Sequence, residues 1–189
     1  MTYLRLSGPA GEAVTLAEAK AHARIDGDDE DALIESLIAA AREYLEAVTG
    51  LCLMTQRFRL YLDRWPADGV IQIDRGPVQA IETVTVYGAD GTPSEAALAG
   101  HVLDGAARPA RLMLADPPQP GRMANGIEID FSAGFGDAAT DVPDGLKRAM
   151  LLHVSEMFSY RGAIAIADQP ASVPAGYEAL IAPYRMRRL

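Results

Sequence analysis

Three histidines, one cysteine and 26 carboxylates are the groups with which this chain could do chemistry. Their most suggestive setting is the stretch IEIDFSAGFG at residues 127–136. A strand-like run ends there in Gly134-Phe135-Gly136, and a helical pattern follows. Nucleotide-binding proteins build phosphate cradles in this order, because glycine-turn amides and a helix N-terminus point at the same anion. The details do not fit. A dinucleotide fingerprint needs a third glycine where Ala139 stands, and the helix must begin inside the motif, whereas here it waits until after Pro143. A P-loop ends in Gly-Lys-Ser/Thr, but Asp137-Ala138-Ala139 supplies no cation and places an acid where phosphate would sit. The sequence therefore argues against a nucleotide cradle.

Other constellations fail on spacing too. His22 and His153 fall inside predicted helices, and no HExxH pair exists for zinc. Ser132 has Asp130 two residues before it, not the glycine of a nucleophile elbow. Cys52, in the apolar run LCLM, has the setting of a small buried filler. Counting an EF-hand loop from Asp26 puts Asp31 at the glycine position and Leu37 at the glutamate position, so calcium is not indicated. Asp26, Asp28, Asp29, Glu30 and Asp31 instead suit a helix N-terminus, where acids cap and complement the dipole. Trp65-Pro66 fits either a recognition anchor or an interior tryptophan beside a turn.

The bulk properties narrow the class. With 189 residues, 49% apolar and 23% charged, the chain suits one soluble domain, or one domain with an arm. Its apolar runs are too short to span a membrane, its first residues lack a secretory pattern, and a single cysteine fits a reducing compartment. A net charge of −9 is opposite to what a DNA-gripping protein carries. The exception is the terminal PYRMRRL, whose arginines suggest an arm that docks on something acidic, or else a solvated tail.

The elements that would position these groups follow from periodicity. Thr15-x-x-Glu18 has capping-box spacing and opens a helix over 15–24. A longer helix over 28–49 carries Leu33, Leu37, Ala41, Tyr44 and Val48 at three-to-four spacing, widened by Ile34, Ile38 and Leu45, and stops at Gly50. Between 55 and 132 the period becomes two. Strands are predicted over 55–63, 70–74, 78–87, 101–104, 111–114 and 127–132, with a proline-rich loop over 115–126. A last helix over 144–161 follows Pro143, with Leu146, Ala149, Met150, Val154, Met157 and Phe158 as its apolar face. The resulting class is α+β: N-terminal helices, a central antiparallel β-meander, a C-terminal helix and an extended arm. Residues 1–162 form the expected domain and 163–189 the arm. Composition and motifs alone thus describe an acidic α+β domain without a catalytic signature.

Five stretches, in this order, carry a resemblance: VTLAEAKAHARID at 14–26, DDEDALIESLIAAAREYLEAVTG at 28–50, RGPVQAIETVTVYGADGT at 75–92, IDFSAGFGDAATDVPDGLKRAMLLHVSEMF at 129–158 and ALIAPYRMRRL at 179–189. Together they resemble the head–tail connector (adaptor) family of long-tailed bacteriophages and phage-derived gene transfer agents. The resemblance implies a virion structural protein with no enzymatic activity and no required cofactor. It would form a ring, expected to be dodecameric, beneath the portal protein, extend the DNA channel, and meet a stopper or terminator protein on the tail side. DNA would pass through without specific binding. The protein would reside at the head–tail junction, and in the bacterial cytoplasm during assembly. The resemblance further implies that the arm reaches the portal, with Tyr184, Arg185, Arg187 and Arg188 as contacts. Asp28, Asp29 and Asp31 are the candidate channel-lining acids, and Arg57, Arg59 and Arg64 candidate partners for acidic faces of a neighbour. The stretch 93–126 fits the family pattern least. Two rivals remain at this level: a small carboxylate-based hydrolase, and a phage interaction module that forms no ring, such as a tail terminator.

Overall fold

The computed structural model describes residues 2–160 and 173–185. The chain forms two compact units, each built from two stretches of sequence. A β unit takes the residues up to Ala10 and Thr55–Phe135; a helical unit takes Gly11–Met54 and the residues from Gly136 onward.

In the helical unit, α1 (Leu16–Ala23) starts at the expected capping box. Thr15 Oγ1 accepts from the Glu18 N–H at 3.2 Å, and Glu18 Oε2 accepts from the Thr15 N–H at 2.8 Å. Arg24, at φ 55°, ends the helix in a left-handed turn. Helix α2 (Asp31–Thr49) closes as expected at Gly50, whose φ is 72° and whose N–H donates to Glu46 O. Its start lies three residues beyond the predicted 28. Gly27 turns the chain at φ 81°, Glu30 is non-helical, and no side chain caps the first turn.

The buried stripe of α2 is also turned relative to the prediction. Ile34, Leu37, Ile38, Ala41 and Leu45 are buried, while Leu33 is 36% exposed and Tyr44 and Val48 are half-buried. The cause is two charged residues on the inner face. Arg42 and Glu46 are only 5% and 8% exposed. Arg42 Nε lies 2.9 Å from Glu12 Oε2, and its Nη1 is 3.5 Å from Glu46 Oε2. Glu46 Oε1 in turn accepts the Leu53 N–H at 2.9 Å. The segment so held, Leu51-Cys52-Leu53-Met54, is wholly buried, with Cys52 a core filler as expected.

Helix α3 (Asp144–Ser159) buries Leu146, Ala149, Met150, Val154 and Met157 as predicted, but Phe158 is only half-buried and His153 is fully buried. The imidazole stands edge-on to Tyr44 at 5.1 Å and to Tyr177 at 5.4 Å. Tyr177 belongs to a short α4 (Tyr177–Ile181), in which Tyr177 and Ile181 have no exposed surface. The stretch expected to form an arm therefore includes a helical turn packed into the core.

The β unit holds two antiparallel sheets. Strands β1 (Thr2–Ser7), β2 (Gln56–Leu62), β4 (Val78–Tyr87), β5 (Pro93–Glu95) and β8 (Ile127–Ala133) form one, in the order β1-β2-β8-β4-β5. Strands β3 (Ile71–Ile73), β6 (Val102–Asp104) and β7 (Ala110–Met113) form the other, in the order β3-β7-β6. Phe58, Leu60 and Leu62 of β2 pair with Phe131, Ile129 and Ile127 of β8, which pair on the other side with Ile81, Val84 and Val86 of β4. All nine are buried, and this face is the core of the unit. The loop over 115–126 contains no strand and is pinned by hydrogen bonds: Trp65 Nε1 to Pro118 O, the Gly121 N–H to Tyr87 O, and the Asn125 N–H to Asp63 Oδ1.

Strand β1 is an element the sequence reading did not include. Five of its six residues are exposed, so it carries no buried alternation.

Arg42→Ala leaves Glu46 and Glu12 without their buried counter-ion, and should cost about 3–5 kcal/mol in urea unfolding. Arg42→Lys, which keeps the charge and loses the planar fork, should fall between that variant and the parent.

Candidate assembly and channel surfaces

The glycine corner after β8 is already filled by the protein's own anion. Asp141 Oδ2 accepts the Ala138 N–H at 3.0 Å, and a methyl group at Gly136 would lie 2.1 Å from that oxygen. Gly136 is thus required by the close approach of a carboxylate, and a phosphate would find the position taken. The three histidines are engaged separately. Arg148 Nη1 lies 3.1 Å from His22 Nδ1, and burial, then the Arg148 charge, push the His22 pKa down. His101 Nδ1 is 2.6 Å from Leu98 O, and His153 is in the aromatic cluster. Among the described residues no group of histidine, cysteine and carboxylate side chains is arranged to hold a metal, and no helix is long and apolar enough to cross a membrane. An open groove of about 370 Å³ at the start of α1 is lined by Glu12, Val14, Thr15, Leu16, Glu35 and Ile38. Glu12 is committed to Arg42, so the groove does not offer two free carboxylates for hydrolysis.

The acidic run before α2 does not act as a helix cap. Lys20 of α1 reaches across, its Nζ 2.9 Å from Asp28 Oδ1 and 2.6 Å from Asp31 Oδ1. These hydrogen bonds hold the Asp28 carboxyl below, and the Lys20 ammonium above, its ordinary value. Of the three candidate channel acids, two are therefore partly neutralised within the chain. Asp29 is exposed. The wider stretch 11–54 still carries ten acids against three bases, which concentrates the chain's negative charge on the helical unit.

Of the four candidate arm residues, Tyr184 and Arg185 are described and Arg187 and Arg188 lie outside the described residues. Tyr184 ends a 3-10 turn (Ala182–Tyr184), and a methyl group at Gly145 would stand 3.9 Å from its ring. Arg185 is paired with Glu178 at 2.7 and 2.9 Å, on the half-exposed rim of the unit. Truncation at 178 would remove buried Ile181 and damage the fold, so a test of the arm must begin after Arg185.

Of the three arginines expected to face a neighbour, Arg57 and Arg59 serve their own sheet, whereas Arg64 is exposed just beyond β2. Arg57 pairs with Glu82, its Nε 2.8 Å from Oε2. Arg59 grips Asp130 through Nε and Nη2 at 2.6 and 2.8 Å and reaches Glu128 with Nη1 at 2.8 Å. These partners lie 25 to 71 residues away in sequence, and no local spacing announces them.

Gly136→Ala should destabilise the chain by about 1–3 kcal/mol. Adding Asp141→Ala to it should recover part of that loss, as a double-mutant cycle in urea would detect. Asp28→Lys with Asp31→Lys should lower the unfolding temperature, because both new cations face Lys20; Asp29→Lys should leave it unchanged. The folded-state pKa of Asp28 is depressed, so its contribution is fully present above the ordinary 3.8 and is lost as pH falls through its lowered value. Lys20 is raised, so its contribution holds below 10.5 and is lost as pH rises through its raised value. The destabilisation caused by Lys20→Met should accordingly be flat between those limits in thermal scans and vanish outside them.

The model of the phage gp6-like head–tail connector family matches residues 13–97. Three solved chains are similar over 100% of this chain and 97% of their own length. One is from the virion of a native gene transfer agent particle, at 27% identity and a TM-score of 0.81. Another is from the neck of an empty particle of that kind computed with C6 symmetry, at 28% and 0.80. The third is from the neck of a native particle computed with C12 symmetry, at 29% and 0.80. No curated protein matches the chain. The family match spans the first helices and early strands, and the likeness to chains of gene transfer agent particles runs along the entire fold.

Proposed function

We propose that the protein is a non-enzymatic structural adaptor at the head–tail junction of a phage or phage-like particle. It forms a ring, twelve-membered by analogy with the C12 neck, beneath the portal and above a tail-side stopper or terminator protein. The observation that carries this reading is the end-to-end likeness to chains of particle necks, in which both units take part. Such a protein works by fit. Each copy presents one face to a different face of the next, and the rotation closes.

The charge distribution suits a channel wall. Phosphate contacts by cations release counter-ions and so bind DNA; an acidic surface offers no such gain and lets the polymer slide. We assign that wall to the N-terminal part of α2 and the turn before it, with Asp29 its freest acid and Asp28 and Asp31 sharing Lys20. The basic terminal residues Arg187 and Arg188, with Tyr184 and Arg185, form the contact to the portal. Assembly takes place in the host cytoplasm before the tail is joined.

A chain ending at Arg185 keeps every buried residue of α4. It should unfold at the parent temperature and yet co-purify with portal at least about tenfold less, the scale of losing anchoring arginines. Full portal occupancy by that truncated chain would refute the assignment of Arg187 and Arg188 to the portal contact. Particles that are complete and DNA-filled without the protein would refute the adaptor reading as a whole.

A further inference from the structure

Large apolar side chains left in water mark places where a protein meets another surface. Seven are exposed among the described residues, and four of them lie on two flanks of the β unit. Leu4, 49% exposed, and Leu6, 38% exposed, are on β1, the outer strand of the larger sheet. The Asp74 N–H donates to Tyr3 Oη at 2.9 Å and brings the end of β3 to that same flank. Val102, 53% exposed, is on β6, the outer strand of the smaller sheet, directly opposite Met113, 38% exposed, on β7. The residue after β6, Gly105, accepts the Val78 N–H at 3.1 Å, which fixes this flank beside β4. β4 stands three strands from β1, roughly 14 Å at ordinary strand spacing. The two apolar flanks therefore face away from each other across the unit.

The strand edges differ in how they are guarded. β5, at the far side of the larger sheet, is three residues long, begins with a proline and carries exposed Glu95, all features that discourage strand-to-strand contact. β1 is twice as long and has no proline; its one charge is the exposed Arg5, beside which the register with β2 shifts, and exposed Leu4 and Leu6 flank it. A longer edge strand with two exposed leucines at one place and an apolar strand pair at another are two different surfaces, which is what a head-to-tail ring requires. A two-fold pairing of β1 with β1 would leave the Val102 flank uncovered.

We propose that in the ring the β1 edge of each copy packs against the β6 edge of the next, Leu4 and Leu6 meeting Val102 and Met113. The partner is a second copy of this chain, and the interface rests on the ring reading above.

Cys52, the only native thiol, is 1% exposed, so engineered surface cysteines can be cross-linked selectively. Particles carrying Leu4→Cys with Val102→Cys in a Cys52→Ala background, treated with a short bismaleimide, should give a ladder of species beyond the dimer. Leu6→Cys with Met113→Cys should do the same. Either single variant alone should stay monomeric. Dimers from Leu4→Cys alone would overturn the proposal, because they require two-fold contact. Monomers only, in particles whose neck ring is visible by electron microscopy, would overturn this interface and leave the ring standing. Particles without any ring of this chain would overturn both.

Discussion

A single buried cation organises the helical unit. Arg42 reaches Glu12 on one side and Glu46 on the other, and Glu46 holds the backbone at Leu53. Three separate pieces of chain are thereby fixed to one another: the segment arriving from β1, the middle of α2, and the segment leaving for β2. Two charges taken out of water gain little net stability when paired, but each becomes costly if the other is lost. The network therefore acts mainly as a register pin. It also decides which side of α2 faces inward, and so which side carries Leu33 and Glu43 outward.

Ion pairing inside the chain explains why a strongly charged surface is chemically quiet. Arg57 and Arg59 are spent on Glu82, Asp130 and Glu128, and Lys20 on Asp28 and Asp31. The outer face of the larger sheet is close to neutral as a result, while the helical unit keeps an excess of acids. In the ring proposed above, contact between copies is then left to shape and apolar area, and an acidic surface disfavours contact with nucleic acid.

Local signals in the sequence were reliable where local forces decide the structure. The Thr15–Glu18 box, the Gly50 stop, the start of α3 after Pro143 and the alternation of β2 all appear as read. In α2 the departures have one cause, which is that a distant residue decided the outcome. The α2 stripe rotates because Arg42 and Glu46, polar by type, are buried by partners at Glu12 and Leu53. The helix begins late because Lys20 draws Asp28 and Asp31 to itself. β1 was missed because its leucines point to water and leave no half-buried pattern. The glycine corner was recognised as structural, but only the folded chain reveals Asp141 closing it.

The position of β8 has a bearing on how the protein is made. It is the central strand of the larger sheet and the last of that sheet to be synthesised, and β2 and β4 have no direct pairing without it. The helical unit waits similarly for α3, whose residues follow β8 along the chain. A nascent polypeptide on the ribosome consequently completes the larger sheet only once β8 has emerged, and the helical unit only once α3 has followed it. Products that stop short of β8 therefore lack the strand that joins β2 to β4, and so lack a finished face to offer any other surface.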